Sequence, residues 1–490
     1  MSFNKKSITE NIREEIENLI ELVSEEKEEA STAYQMEKQL LWKMLALGRQ
    51  LMQLFFVMRA KREVIEKELE VEGVVYKYRG SRKRSYVSIF GEVEVKRGCY
   101  WQRGKDSQYP LDKALSLPKR SFSEWVQEII GQLSVCAPYE DAVSLMTKWF
   151  GLSIPKRSTI QMAKEHAETV ASYYEQQARS EPKEHDTILV VSADGKGIPM
   201  NRENSPPPKD RRGKGTKKTA KKDATITAIY TVSPFVRRSD DIIATLLPGN
   251  LTTPSSSVVR PKPSNKQVFG TLKGKQAAFE QLTQQAVKYQ TTQLTDLIAL
   301  TDGCRSLQLK VEDYLPDFTL ILDIIHALEY VWDAANVLFG ETNPQRAFWV
   351  EDALRSLLED DHETLFTHLE YQISDPSLSP SKVKTLTKTL NYLRRNRPYM
   401  NYQHYLAQGW PIGTGVIEGA CRHLVKDRFE QAGMRWSLSG AQAILALRTV
   451  HLNSDWDDFQ RFRRLLAHQQ CYGSTHPFLL PEALILAQAA

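Results

Sequence analysis

Cysteine is scarce and scattered. The 490 residues hold Cys99, Cys136, Cys304, Cys421 and Cys471, an odd set with no CxxC spacing, which excludes a disulfide framework and a zinc knuckle. Reduced thiols are expected. Long apolar runs are also missing. The longest, Leu40 to Met58, is broken by Lys43, Arg49 and Gln50, and nothing approaches the roughly 20 residues needed to span a bilayer. No membrane partner is expected. The opening MSFNKKSITENIREEIENL has no apolar segment followed by a small-residue cleavage site, so a cytoplasmic protein is expected. A strong excess of one charge is missing too. The net charge is +5, too small at this length to mark a nucleic-acid binder.

What is present is a globular composition, 41% apolar and 26% charged, in a chain long enough for about three folding units. The basic charge is concentrated. Arg202 to Lys222 carries nine Lys or Arg, among them Arg211, Arg212, Lys217 and Lys218, against Glu203 and Asp210. With its Pro and Gly, that stretch reads as a mobile basic loop contacting DNA phosphates.

Helical spacing of Ile16, Ile20, Leu40, Leu45, Leu51 and Phe55 predicts a helical arm over residues 1–73, a solvated hairpin or self-association element. From Val74 to Trp101, β-branched and aromatic residues alternate with charge, and Phe90-Gly91-Glu92 marks a turn, predicting a basic β-hairpin. Arg79, Arg82, Lys83, Arg84, Lys96 and Arg97 interleave there with tyrosines and Trp101, a mixture suited to phosphate contact and base stacking. Apolar helical stripes return from Ser121. In GLSIPKRSTIQMAKEHA, Gly151 can end one helix and Pro155 open another that begins Lys156, Arg157, Ser158, Thr159 and Gln161. That is the form of a helix-turn-helix presenting those residues to DNA, so residues 74–180 form the expected DNA-binding region.

Thr187 to Ser192 is an apolar run ending in Ala193-Asp194-Gly195, Leu297 to Thr301 ends in Asp302-Gly303, and Phe318 to Leu322 ends in Asp323. Each reads as a buried strand delivering an acid at its C-terminal end, and with the intervening helices they predict an α/β layer of parallel strands. One such Asp is explained by turn or capping preference. Two Asp-Gly strand ends followed by Glu418 in PIGTGVIEGACRHLVKDR are harder to explain that way. Adjacent carboxylates repel unless a cation neutralises them, and oxygen ligands suit Mg²⁺ or Mn²⁺.

SADGKG at Asp194, TDG at Asp302, LDIIHALEYVWDAA at Asp323 and His326, and the block around Glu418 ending in GMRWSLSGAQAILALR together resemble a DDE transposase of the ISKra-type insertion-sequence group, related to the Mutator-like transposases. The resemblance implies an α+β multidomain chain with an RNase H-like catalytic core. It implies two Mg²⁺ ions (Mn²⁺ substituting) held by catalytic Asp194, Asp302 and Glu418, with double-stranded DNA as partner: the element's terminal inverted repeats and target DNA. A homodimer or higher oligomer on DNA, associated with the nucleoid, goes with that activity. Asp323 and His326 fit the family's (C/D)xxH signature and are assigned a supporting role.

The core is expected over 184–326 with its basic loop 202–222, then a helical insertion 327–408, the rest of the core over 409–452, and a tail 453–490. Of the two strands that could neighbour that of Asp194, the implied order puts Asp302 beside it and Asp323 one place further out. Arg422 and Lys426, at i+4 and i+8 from Glu418, are expected on its helix face, and Arg435 with Trp436 at DNA. Two other readings fit the same residues: an RNase H-like nuclease or resolvase, and a domesticated DNA-binding protein without chemistry.

Overall fold

Residues 5–24, 32–177, 181–201, 221–247, 260–289 and 293–473 are described by the computed structural model. They divide into two units, Met1–Tyr173 with Asp455–Ala490, and Tyr174–Ser454. The class is α+β, as expected, with helices and a sheet in each unit.

In the first unit, helix α1 (Lys5–Ser24) packs on α2 (Ala33–Arg62) through Ile8, Ile12 and Leu47. Thr32 starts α2 with a capping box, its Oγ1 accepting from Gln35 N at 3.3 Å while Gln35 Oε1 accepts from Thr32 N at 2.9 Å, which satisfies two backbone donors. The expected helix to residue 73 is corrected. It stops at Arg62, and β1 (Glu68–Val71) pairs antiparallel with β2 (Val74–Ser88) across Glu72-Gly73, both at positive φ, the geometry a two-residue hairpin turn requires. Strand β3 (Gly91–Trp101) completes a three-stranded sheet, so the expected hairpin is two strands of three. Arg84 and Arg97 turn inward onto buried Asp112, Arg84 at 3.2 Å. Arg79, Arg82, Lys83 and Lys96 remain exposed.

Helices α3 (Pro110–Ala114), α4 (Glu124–Cys136), α5 (Tyr139–Phe150), α6 (Lys156–Glu168) and α7 (Val170–Gln176) follow. Gly151, at φ +66, ends α5 in the left-handed region, and Pro155 opens α6, as the sequence predicts. A helix from Trp456 to Tyr472, for which the sequence suggested no role, belongs to this unit. Its Arg464 bonds Glu128 at 2.7 Å, and Arg463 bonds Glu124 at 2.5 Å.

The second unit carries β4 (Ile188–Pro199), β5 (Lys221–Val232), α8 (Ser239–Leu246), β6 (Ser264–Thr271), α9 (Lys275–Tyr289), β7 (Asp296–Thr301), α10 (Arg305–Tyr314) and β8 (Thr319–Leu322). The sheet order is β6-β5-β4-β7-β8. Strands β7 and β8 run parallel to β4, whereas β5 pairs antiparallel with both β4 and β6, which corrects the all-parallel expectation. Between β8 and the Glu418 helix every element is helical: α11 (Ile324–Phe339), α12 (Gln345–Leu358), α13 (His362–Ile373), α14 (Pro380–Asn396) and α15 (Tyr402–Ala407). Their apolar faces share one core with Ile188, Val190, Ile298, Leu300 and Ile321 of the sheet. Then come α16 (Gly415–Cys421), a π-helical turn (Arg422–Lys426), α17 (Asp427–Phe429) and α18 (Leu438–Leu452). Arg211, Arg212, Lys217 and Lys218 lie outside the described residues. Among the described residues no helix is long and apolar enough to cross a membrane, and the five cysteines are free thiols.

Candidate active site

Strand register brings the three aspartates together. Ile188 to Ser192 pair with Asp296 to Leu300, and Ile298 to Thr301 pair with Thr319 to Leu322. Continuing both registers sets Asp194 level with Asp302, and Asp302 level with Asp323. Asp323 N donates to Thr301 O at 2.9 Å, which extends the β7–β8 pairing by one residue. Because side chains alternate across a strand, the three aspartates project to the face whose inner positions are Val190, Ile298, Leu300 and Ile321. Neighbouring strands lie about 4.8 Å apart, so Asp302 is one strand from Asp194 and Asp323 is two. Asp302 and Asp323 do end their strands. Asp194 does not: β4 runs on to Pro199 because β5 pairs with it throughout.

Asp302 Oδ1 accepts from Cys304 N at 2.9 Å, and its carbonyl accepts from Tyr392 Oη at 2.9 Å. Gly303 follows at φ +79, and a Cβ there would stand 2.6 Å from Tyr392 Oη, so the Asp-Gly pair is required by both the backbone and the packed ring. Asp323 is fully buried and saturated. Its Oδ1 accepts from Ile325 N at 3.2 Å and Thr414 N at 3.1 Å, and its Oδ2 from Thr414 Oγ1 at 2.7 Å and His326 Nδ1 at 2.5 Å. The hydrogen bond to Asp323 raises the His326 pKa to about 9, with Glu329 and Asp302 adding to the effect and burial opposing it. His326 is an imidazolium at neutral pH.

Thr414 links the sheet to the glutamate. It precedes α16, its carbonyl accepts from Glu418 N, and its hydroxyl, committed to Asp323, lies 3.4 Å from Glu418 Oε1. One turn beyond Glu418, the Cys421 thiol donates to Asp194 Oδ2 at 3.2 Å. Burial first, then the charge of Asp194, pushes that thiol's pKa well up, so it stays a donor. Helix α16 is thereby tied to β8 at one end and β4 at the other. Neither contact was foreseen. Thr414 could have been found as the residue capping the glutamate helix, whereas Cys421 gives no sequence signal.

Ligand atoms of Asp323, His326 and Glu418 lie within 4.8 Å of one another, a cluster that could hold a metal ion. It differs from the expected set of Asp194, Asp302 and Glu418. Both Asp323 oxygens are spent on four donors, so binding an ion there would strip it of His326 or Thr414. Asp302 Oδ2 and the exposed Glu418 carboxylate carry no such load, whereas Asp194 accepts from Gly195 N at 2.5 Å on Oδ1 and from the Cys421 thiol on Oδ2.

The residues assigned to DNA fare unevenly. Lys156, Arg157 and Gln161 are exposed and Ser158 is half-buried at the start of α6, but Thr159 is buried with its hydroxyl on Pro155 O. That corrects Thr159, which faces the core at i+3 from Lys156. Lys156 also pairs with Glu140. Arg422 N donates to Glu418 O, so Arg422 stands one turn above the glutamate, exposed. Lys426, at the end of the π-helical turn, is exposed too. Arg435 is exposed. Trp436 is buried, 4.7 Å from the Phe429 ring, under the Arg428 guanidinium at 4.8 Å, with Nε1 donating to Phe429 O at 3.3 Å. Its ring is packed within the second unit. Trp436→Ala is expected to cost about 3 kcal/mol or more of stability and leave duplex affinity unchanged. Thermal unfolding and a binding titration would check both, and weakened binding by a fully folded variant would restore the base-stacking role.

No family model and no curated protein matches the sequence. Among solved structures, the chain matches a Drosophila P element transposase strand transfer complex at 9% identity and a TM-score of 0.24, over 73% of this chain and 83% of that one.

Proposed function

We propose that this chain is a DDE transposase: it binds the ends of an insertion sequence, cuts DNA and joins the freed 3′-OH to target DNA. The observation that carries the reading is the register that sets Asp194 level with Asp302 on adjacent parallel strands, with α16 tied to the same edge by Thr414 and Cys421. The sheet order, with Asp302 beside Asp194 and Asp323 one place out, supports an RNase H-like core. Asp194, Asp302 and Glu418 would hold two Mg²⁺ ions, or Mn²⁺ in their place, which would supply activation of water or a 3′-OH and stabilisation of the leaving oxygen. The protein residues supply the rest. Thr414 and Cys421 fix α16, Asp323 and His326 brace its entry as an ion pair, and Arg422 binds phosphate next to Glu418. The exposed residues at the start of α6 and on the three-stranded sheet engage the element ends, in a cytoplasmic, nucleoid-associated setting.

The test is purified protein with Mg²⁺ and DNA carrying the element's own flanking ends. Strand-transfer products joined through the 3′ end are expected. Cleavage without joining would make the chain a nuclease or resolvase, and specific binding without cleavage in either Mg²⁺ or Mn²⁺ would make it a DNA-binding protein.

A further inference from the structure

Helix α14 carries cations and no acids: Lys382, Lys384, Lys388, Arg394 and Arg395 stand among its 17 residues without an Asp or Glu. Its Leu386, Leu390 and Leu393 enter the core shared with Val190, Ile298, Leu300 and Ile321, so α14 covers the face of the sheet to which the aspartates project. On the opposite side of the helix Lys384, Lys388, Asn391 and Arg395 are exposed. Their spacing of i, i+4, i+7 and i+11 keeps them within about 60° of arc and spreads them over about 16 Å of helix. Lys382 is exposed on another side. Arg394 and, just past the helix, Arg397 are spent on Glu370 and Glu363 of α13. The stripe is not spent. Among the described residues Lys384, Lys388 and Arg395 form no ion pair, and the exposed acids of the adjoining α11, Glu329 and Asp333, pair with none of them.

The stripe ends at the candidate active site. Arg395 Nη2 donates to Gly303 O at 2.9 Å, and Tyr392 Oη donates to Asp302 O at 2.9 Å. The Tyr392 ring stacks on Tyr330 at 3.7 Å, and Lys388 Nζ lies 4.8 Å over the Tyr330 ring. A row of cations leading to Asp302 offsets the repulsion that a polyanionic backbone meets on its way to a carboxylate. We propose that α14 binds the phosphates of the target DNA as it enters beside Asp302, an assignment that rests on the catalytic reading above. Lys and Arg on phosphate carry no sequence information. That suits a DNA whose sequence is not fixed, which is the target and not the element's ends. The helical insertion then captures the joining partner, while end recognition belongs to the first unit.

The experiment compares the full-length wild type with Lys384→Glu/Lys388→Glu and with Lys384→Gln/Lys388→Gln, which removes the charge at nearly constant size and carries the test should the Glu pair misfold. Binding to random-sequence duplex is first measured in EDTA over a salt series. Loss of two phosphate contacts is expected to make the logarithmic salt slope shallower by about two. Unchanged slope and affinity in folded variants overturn the proposal. Joining of pre-cut element ends is then followed against target concentration in Mg²⁺. The target concentration giving half the maximal rate is expected to rise about tenfold or more, with the maximal rate retained. Loss of end cleavage as severe as the loss of joining, or joining that added target does not restore, overturns the assignment to target. The binding arm needs no chemistry, so a wild type that joins nothing counts against the catalytic reading and not against the stripe.

Discussion

Asp302→Asn is expected to abolish both cleavage and joining while leaving DNA binding intact. The substitution keeps the fold, because Asn retains the oxygen that accepts from Cys304 N, and the Tyr392 bond is to the main-chain carbonyl. What it removes is the negative charge of an unburdened carboxylate oxygen, one strand from Asp194 and level with it. Charge stabilisation by bound metal is worth several kcal/mol in the transition state, and about 1.4 kcal/mol is a tenfold change in rate. A loss of about a thousandfold or more in strand transfer follows. Removing an acid does not weaken attraction to phosphate, so affinity for end DNA should hold or rise. The same variant assayed for binding and for single-turnover strand transfer separates the two. Strand transfer near the wild-type rate, with Asp323→Asn folded but inactive, would exchange the roles of the two aspartates.

The sequence carried those strands well, because an apolar β-branched run closed by Asp-Gly is a local pattern. Leu297 to Gly303 contains both the buried strand and the residue whose φ of +79 lets the chain turn under Tyr392. The break at Gly151 was legible for the same reason. Strand β6 was not. Ser264 to Thr271 is largely polar and lies at the sheet edge, where alternation is weak. The π-helical turn after Glu418, which buries Leu424 and Val425, is foretold by no spacing rule. Trp436 looked equally suited to a base or a core until its bridge to Met200 fixed it. Long-range assembly was least legible of all. The helix from Trp456 to Tyr472 returns to the first unit across the whole second unit, so a fragment ending near Ser180 would leave Glu124 and Glu128 without Arg463 and Arg464.

Asp323→Asn tests the brace rather than the chemistry, and its largest effect should be on stability. The carboxylate is fully buried and accepts four hydrogen bonds, two from Thr414, one from Ile325 and one from the His326 imidazolium. An amide keeps the oxygen facing the two backbone donors. It also turns an N–H₂ toward Thr414 Oγ1 and His326 Nδ1, and leaves the imidazolium without its counter-charge. Breaking a buried pair at one partner costs about 3 kcal/mol or more, enough to lower the melting temperature by roughly 6 °C. The pH dependence identifies the cause. In the folded protein the His326 pKa stands at about 9, above its ordinary 6.5, chiefly through Asp323. A group raised on folding stabilises fully below its unfolded pKa and loses that contribution as pH rises through the folded value. Wild-type protein in EDTA should therefore lose stability between about pH 6.5 and 9, and Asp323→Asn should lose much less, so that their melting curves converge at high pH. Curves that stay parallel from pH 6 to pH 10 would show that the pair does not hold the entry to the glutamate helix.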